Sequence, residues 1–164
     1  RKMAADENGE EYDDNGERAI FFARGVLETV KKLRWSPDVI HCQGWMGYIV
    51  PLFIKAAYNS EPAFADTKVV TSVFADGLKK NIGDNFKNCL EFKDVTVDSL
   101  SAYKDDFDFM ELGKLAIDNS DAVVEAEEGA NPELIAYAKS KGIPVLAYPG
   151  EDYTVAYKKF YEEL

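Results

Sequence analysis

The sequence predicts an α/β fold: a Rossmann-like parallel sheet with helices on both faces. Short apolar segments rich in valine and isoleucine are bounded by turn residues, and longer segments between them carry apolar residues at three- and four-residue spacing. The chain has 164 residues, 46% of them hydrophobic, which is enough for one domain with its own core. Strands that alternate with helices are typical of right-handed βαβ units, whose parallel strands are covered on both faces.

The chain begins with an acidic segment and then a helix. Residues 1–14 carry few apolar side chains, so they are expected to form a solvated lead-in, and residues 15–164 to form the domain. The helix is predicted from about Asn15, as its N-cap, to about Arg34, because apolar residues recur at helical spacing from Ile20 onward. Pro37 follows the end of this helix.

Four strands and four more helices complete the predicted fold. The strands are predicted over 38–42, 68–74, 122–125 and 145–148, where β-branched and apolar residues cluster. Helices are predicted over 45–58, 107–117, 131–141 and 153–164, and the aromatic stripe of the last is interpreted as core. The segment 79–106 has weak periodicity, so short helices and loops are expected there.

Charge and composition exclude several classes of function. The net charge of −11 opposes binding to nucleic acid phosphates and to anionic lipid surfaces. No apolar run approaches the roughly 18 residues that a membrane span needs. Two cysteines are too few for a disulfide framework and match no metal-ligand spacing, so a reducing, cytoplasmic setting is expected. Because the chain opens on arginine, we expect it to be an internal piece of a longer product.

Ligands of parallel sheets bind at the carboxyl ends of the strands, so the residues that follow each strand are the candidates. His41 is the last residue but one of the first predicted strand; a buried histidine is more often a hydrogen-bonded core residue than a catalytic one. Trp45 follows it and offers a ring for stacking on a sugar, although an aromatic residue at a helix start is more often core. Asp76-Gly77 follows the second strand and is interpreted as a plain turn.

The third strand is followed by three glutamates, Glu125, Glu127 and Glu128. Paired carboxylates can divide acid and base roles, but glutamates in a loop of an acidic protein are usually solvated. No glycine-rich phosphate-binding motif occurs, and no metal or cofactor is expected. The residues by themselves therefore predict an α/β domain without a defined reaction.

Three segments resemble a known family. They are Glu17-Arg18-Ala19-Ile20-Phe21-Phe22-Ala23-Arg24, Trp35-Ser36-Pro37-Asp38-Val39-Ile40-His41-Cys42-Gln43-Gly44-Trp45-Met46 and Val50-Pro51-Leu52-Phe53-Ile54-Lys55. Together they look like the glycogen/starch synthase catalytic N-terminal domain, the N-terminal half of a GT-B-type glycosyltransferase. The resemblance covers most of the chain and also extends to the C-terminal part of short stand-alone bacterial members. It implies that the first strands of the domain lie before residue 1, which would leave an unpaired sheet edge if the chain were complete.

The resemblance implies a substrate-binding region at His41, Gln43, Trp45, Met46 and Phe74. In the family, the strand ends in His and the next turn reads H-D-W-H. His41 and Trp45 match that pattern, whereas Gln43 and Met46 replace its two turn histidines and Gly44 replaces its aspartate. Phe74 stands where the family has His, and Val124-Glu125-Ala126 stand where it has T-V-S.

The resemblance leaves two functions open. Family members transfer glucose from ADP- or UDP-glucose to an α-1,4-glucan without a metal, and this chain would be half of such an enzyme if a second domain is supplied elsewhere. Alternatively, the substitutions remove catalysis, and the chain is a binding or regulatory module of glucan metabolism. A glucan, a nucleotide sugar, a partner protein and a second copy of the chain are the ligands that remain open.

Overall fold

Within residues 2–83 and 85–164, which this computed structural model describes, four strands form one parallel sheet. They are β1 (Val39–Gln43), β2 (Lys68–Val73), β3 (Ala122–Glu125) and β4 (Val145–Leu146). They lie in the sheet in the order in which they follow one another along the chain. The predicted α/β fold is confirmed.

Strand bounds agree with the prediction to within a residue, except at β4. This strand ends at Leu146 because its last partner is Val124, one residue before the end of β3. The backbone N–H of Tyr148 then donates to the Glu125 carboxylate instead of to a neighbouring strand.

Six α-helices are assigned within the described residues. They are α1 (Asn15–Lys32), α2 (Val50–Leu52), α3 (Asn85–Leu90), α4 (Phe109–Asp118), α5 (Pro132–Ser140) and α6 (Tyr153–Glu162). The helix predicted over 45–58 is not continuous: a 3₁₀ turn covers Trp45–Gly47, and α2 passes into a π-helical turn over Phe53–Ala57. The short α3 and a 3₁₀ turn at Val97–Leu100 lie in the segment where short helices were expected.

The ends of α1 differ from the prediction. Asp14, not Asn15, is the N-cap. Asn15 is buried instead, and its side-chain amide donates to the carbonyl of Ala4 at 2.8 Å. At the other end the helix stops at Lys32, and Arg34 has a positive φ of 52°. Helix α5 begins as predicted, because the Asn131 side chain caps its first turn.

The lead-in folds back on itself and is attached to the domain. Ala5 pairs with Glu11 in an antiparallel bridge. The Glu11 carboxylate accepts hydrogen bonds from the backbone N–H groups of Lys79 and Lys80, both at 2.8 Å. The acidic segment is therefore ordered by bonds to the loop that follows β2.

The two faces of the sheet are covered very unequally. Val69, Val73 and Val123 point into a large core formed with α1 to α5, whereas Val70 and Val124 point the other way. On that second face the aromatic and apolar residues of α6 provide the cover. When parallel strands are neighbours in chain order, right-handed crossovers place their connecting helices on the same face. The other face of the sheet is therefore left to α6, the helix that follows β4.

Candidate functional site

A pocket of about 260 Å³ lies at the carboxyl ends of the strands, beneath the start of α6. Gln43 ends β1, Ser72 is the last residue but one of β2, and Phe74 follows β2 directly. The remaining wall comes from the chain after β3 and β4. The lining residues are Gln43, Ser72, Phe74, Ala126, Tyr148, Gly150, Tyr153 and Tyr157.

A glycine turn brings the aromatic wall into position. Gly150 has φ of +67°, a conformation that glycine adopts without strain, and it lies in the 3₁₀ turn that connects β4 to α6. Tyr148 lies just before this turn, and Tyr153 and Tyr157 lie four residues apart on α6, so both rings project from one face of the helix. The rings of Tyr153 and Tyr157 pack edge to face with their centroids 5.8 Å apart.

The pocket is aromatic and uncharged. Among the described residues that line it there is no carboxylate, lysine, arginine or histidine. Tyr148 and Tyr153 remain 42% and 54% exposed, so their rings are free to contact a ligand. The Gln43 amide and the Ser72 hydroxyl add hydrogen-bonding groups. This arrangement can stack on the apolar face of a ring and bind its hydroxyls, and the tyrosine hydroxyls are the ionisable groups that it offers.

His41 lies at the base of this region and connects the sheet to α6. Its Nδ1 is 2.5 Å from the Tyr161 hydroxyl and its Nε2 is 2.6 Å from the Ser72 hydroxyl. Its ring also packs against Tyr157, with centroids 5.5 Å apart. Burial lowers the pKa of His41 to about 4, so the imidazole is neutral at pH 7. Both ring nitrogens are used in these bonds, as in a hydrogen-bonded core histidine.

The structure brings together some of the predicted site residues and separates others. Gln43 and Phe74 line the pocket, and His41 bonds to the Ser72 that lines it. Trp45 is only 6% exposed and belongs to the large core, which leaves no ring face free for stacking on a sugar. Met46 lines a separate groove along α1.

The conformation of Gly44 is incompatible with most side chains. Its φ of 70° and ψ of 166° belong to a region of backbone space that is essentially restricted to glycine. The turn after β1 therefore has a backbone that would strain the aspartate that the resemblance places there. The residues after it enter the 3₁₀ turn that contacts α1.

Two of the three glutamates after β3 accept hydrogen bonds from backbone N–H groups of neighbouring loops. Glu127 accepts a hydrogen bond from the backbone N–H of Ala75 at 2.6 Å, and Glu125 accepts one from Tyr148. Glu128 is exposed. These contacts hold the loops around the pocket.

At the second strand exit, the Phe109 ring packs so closely on Gly77 that a methyl group at this position would overlap it. The chain is thus tightly packed at Gly77, but the turn predicted at Asp76-Gly77 is wrong, because neither residue lies in a hydrogen-bonded turn.

Sequence reasoning missed most of the aromatic wall. The stripe on α6 that includes Tyr153 and Tyr157 was interpreted as core, yet no residue of α6, all of which the structure describes, is fully buried. The signal available was the abundance of tyrosine: an aliphatic stripe is typical of a buried helix face, whereas tyrosine has a polar end that favours partial exposure.

The described residues contain no group of three or more His, Cys, Asp or Glu side chains arranged to bind a metal ion. In the same part of the chain, no helix combines the length and the apolar character that a membrane span requires.

Comparison with known proteins identifies the family. Residues 4–143 match the family described as starch synthase catalytic domain. Among curated proteins, the chain is 46% identical to a glycogen synthase of Chlorobium limicola over 66 residues, which is 40% of this chain and 14% of that protein. It is 45% identical to one of Clostridium perfringens over 60 residues, 37% of this chain and 12% of that protein.

The matched segments therefore span only about a seventh of those relatives. No solved structure matches at a significant level. Because the family match covers most of the residues, the chain belongs to the starch synthase catalytic domain family.

Proposed function

We propose that this chain is a non-catalytic member of its family that binds the end of a glucan and acts as a binding or regulatory module of glucan metabolism. The observation that carries the proposal is the pocket at the strand ends. Its wall is formed by tyrosine and phenylalanine rings with an amide and a hydroxyl, and no carboxylate, histidine, lysine or arginine contributes to it among the described residues.

The size and charge of the pocket favour a neutral sugar over a nucleotide sugar. At about 260 Å³ it is smaller than the roughly 300–1,000 Å³ that drug-sized ligands occupy, so it fits a single hexose ring better than a whole nucleotide sugar. A diphosphate is bound most strongly by cationic side chains, and the lining side chains carry no positive charge.

Loss of catalysis is supported by the residues that follow β1 and β2. The family resemblance implies polar side chains where this chain has Gly44, Met46 and Phe74. The loss of one transition-state hydrogen-bond donor typically costs about 10²–10³ in rate, so several losses together would suppress transfer. The glycine-specific backbone at Gly44 further supports a turn that has diverged from the catalytic form.

The second candidate is an active glucosyltransferase half. It is favoured by the family description, which is that of a catalytic domain, and by the curated relatives, which are named glycogen synthases. Under this alternative, the chain would transfer glucose from ADP- or UDP-glucose to an α-1,4-glucan once a second domain is supplied. Both candidates include a reducing, cytoplasmic setting.

Two measurements on the same sample distinguish the two candidate functions. They are isothermal titration of the chain with maltoheptaose, ADP-glucose and UDP-glucose, and a glucan-extension assay. The proposal expects saturable binding of maltoheptaose and no extension. Extension from either nucleotide sugar would establish the alternative, and the absence of maltoheptaose binding would refute the proposed module.

A pair of variants on α6 tests whether the pocket is the binding site. Tyr153→Ala removes an exposed ring of the wall and should raise the Kd for maltoheptaose about tenfold, equivalent to about 1.4 kcal/mol. Val155→Ala is the matched control, because Val155 is 71% exposed on the same helix and does not line the pocket. Equal affinities of the two variants would place the sugar elsewhere.

A further inference from the structure

We propose that His41 is a positioning residue of the pocket at the strand ends: acting through Ser72, it orients the Tyr157 hydroxyl to donate a hydrogen bond to the bound sugar. This inference rests on the proposed function, because it concerns how the same pocket recognises the end of a glucan. It identifies the group that binds a sugar oxygen and the residues that fix the direction of its proton.

The His41 ring connects two hydroxyl groups that lie on different elements. Its Nδ1 is 2.5 Å from the Tyr161 hydroxyl of α6, and its Nε2 is 2.6 Å from the Ser72 hydroxyl of β2. Because the low pKa of His41 keeps the ring neutral at pH 7, one of its nitrogens carries a proton and the other accepts one. One of the two hydroxyls must therefore donate to the ring, and the other must accept from it.

The Tyr161 phenol is the better donor of the two hydroxyls. A phenol, with a pKa of about 10, is more acidic than an aliphatic hydroxyl, and its oxygen is a weaker acceptor because the ring delocalises a lone pair. The shorter of the two contacts is also the one to Tyr161. Both observations place the ring proton on Nε2, because the partner of one ring nitrogen sets the state of the other. Nε2 then donates to the Ser72 oxygen and leaves the Ser72 proton for another acceptor.

That acceptor is the Tyr157 hydroxyl. Burial raises the pKa of Tyr157, and a hydrogen bond with Ser72 opposes this rise, as a bond donated to the phenol oxygen does. The Tyr157 ring also packs against the His41 ring, with centroids 5.5 Å apart. Since the Tyr157 oxygen accepts the Ser72 proton, its own proton is directed away from Ser72.

The last hydroxyl of this chain of hydrogen bonds lies in the wall of the pocket. Ser72 and Tyr157 both line the pocket, but Ser72 is only 1% exposed, whereas Tyr157 is partly exposed. The Tyr157 hydroxyl is therefore the member that reaches a ligand, and it does so as a donor. Each hydroxyl and ether oxygen of a sugar can accept such a bond, so a fixed donor beside the stacking rings supplies directional recognition in a pocket without charged side chains.

Nitrogen NMR of the imidazole at pH 7 tests the first step without any ligand. The signals should show that Nε2 of His41 carries the proton. Protonation of Nδ1 instead would overturn the inference, because Ser72 would then donate to the ring and not to Tyr157. No sugar takes part in this measurement, so its outcome is independent of the proposed function.

Isothermal titration of variants with maltoheptaose tests the second step. Tyr157→Phe keeps the stacking ring but removes the donor, so the Kd should rise about fivefold, as for the loss of one hydrogen bond. His41→Asn should cause a similar rise, because its short amide reaches Tyr161 but not Ser72. His41→Gln should restore most of the lost affinity, since its amide nitrogen lies close to the position of Nε2. Thr71→Val is the control: it removes a β2 hydroxyl that bonds to Ser120 outside the pocket, and it should leave the Kd unchanged.

The double variant His41→Asn/Tyr157→Phe separates positioning from a purely structural role. If His41 acts through the Tyr157 hydroxyl, the double variant should bind no more weakly than Tyr157→Phe alone. Independent effects would instead multiply to about 25-fold and would overturn the inference.

Unchanged affinity of Tyr157→Phe would overturn the inference as well, and this variant is expected to fold because its ring still packs on His41. If the unmodified chain does not bind maltoheptaose, the proposed function and this inference fall together. Normal binding by the unmodified chain, with either contrary result in the variants, would overturn only the role of His41.

Discussion

Lowering the pH below 7 tests the burial of His41, because this is the single histidine of the chain. Unfolded, a histidine has a pKa near 6.5, whereas burial lowers the pKa of His41 to about 4 in the folded protein. Between these two values the unfolded chain binds a proton that the folded chain does not. The free energy of unfolding should therefore fall as the pH decreases from about 6.5 to about 4.

The size of this effect follows from the difference between the two pKa values. At 1.36 kcal/mol per pH unit, a change from 6.5 to about 4 corresponds to about 3 kcal/mol. The ring is only partly buried, so solvent screening reduces the expected loss to about 2 kcal/mol. The hydroxyls of Tyr161 and Ser72 can accept hydrogen bonds as well as donate them, so the cost of protonation arises from desolvation.

Urea unfolding of the wild type and of a His41→Gln variant at pH 7 and pH 4 measures the effect. Both proteins will lose stability as the acidic groups with lowered pKa, such as Asp6 and Glu61, take up protons, and this common part cancels in the comparison. The wild type should lose about 2 kcal/mol more than the variant. The NMR signal of the imidazole gives the midpoint directly, and a midpoint near 6.5, or equal losses in both proteins, would refute the reasoning.

Three further substitutions test the packing around the site by urea unfolding. Gly44→Asp, which restores the family residue, should destabilise the protein by about 1–3 kcal/mol because of the positive φ, and unchanged stability would show that the turn adapts. Gly16→Ala should cost about 2 kcal/mol, since the new methyl group would overlap the Ile82 carbonyl oxygen; a neutral result would mean that α1 can shift. Tyr48→Phe should cost about 1–2 kcal/mol, because the carbonyl of Ser72 loses a buried hydroxyl donor, and a smaller loss would indicate replacement by water.

The strands and the main helices could be predicted from local sequence. β3 was predicted with its observed bounds, because Ala122 to Glu125 combine β-branched residues with turn signals on both sides. The helix over 45–58 was predicted as continuous, since periodicity does not distinguish an α-helix from 3₁₀ and π turns that keep similar residues on one face.

The lining of the pocket was only partly predictable from the sequence, because part of it depends on tertiary packing. Gln43 and Phe74 follow directly from the rule that ligands bind at strand ends, and both line the pocket. Trp45, two residues after Gln43, enters the core because the Gly44 turn redirects the chain. Tyr148 and Tyr153 could not be assigned, because their exposure depends on how α6 crosses the sheet.

The sequence by itself determined the fold class and the family, because both depend on local apolar patterns and on motifs that are continuous along the chain. Only the tertiary structure decided which face each helix covers. The crossovers between strands adjacent in chain order all lie on one face of the sheet, so the other face is covered by α6. His41 of β1 is hydrogen-bonded to Tyr161 of this helix. The uncharged aromatic pocket follows from that arrangement, since residues far apart in sequence meet there only after the sheet has formed.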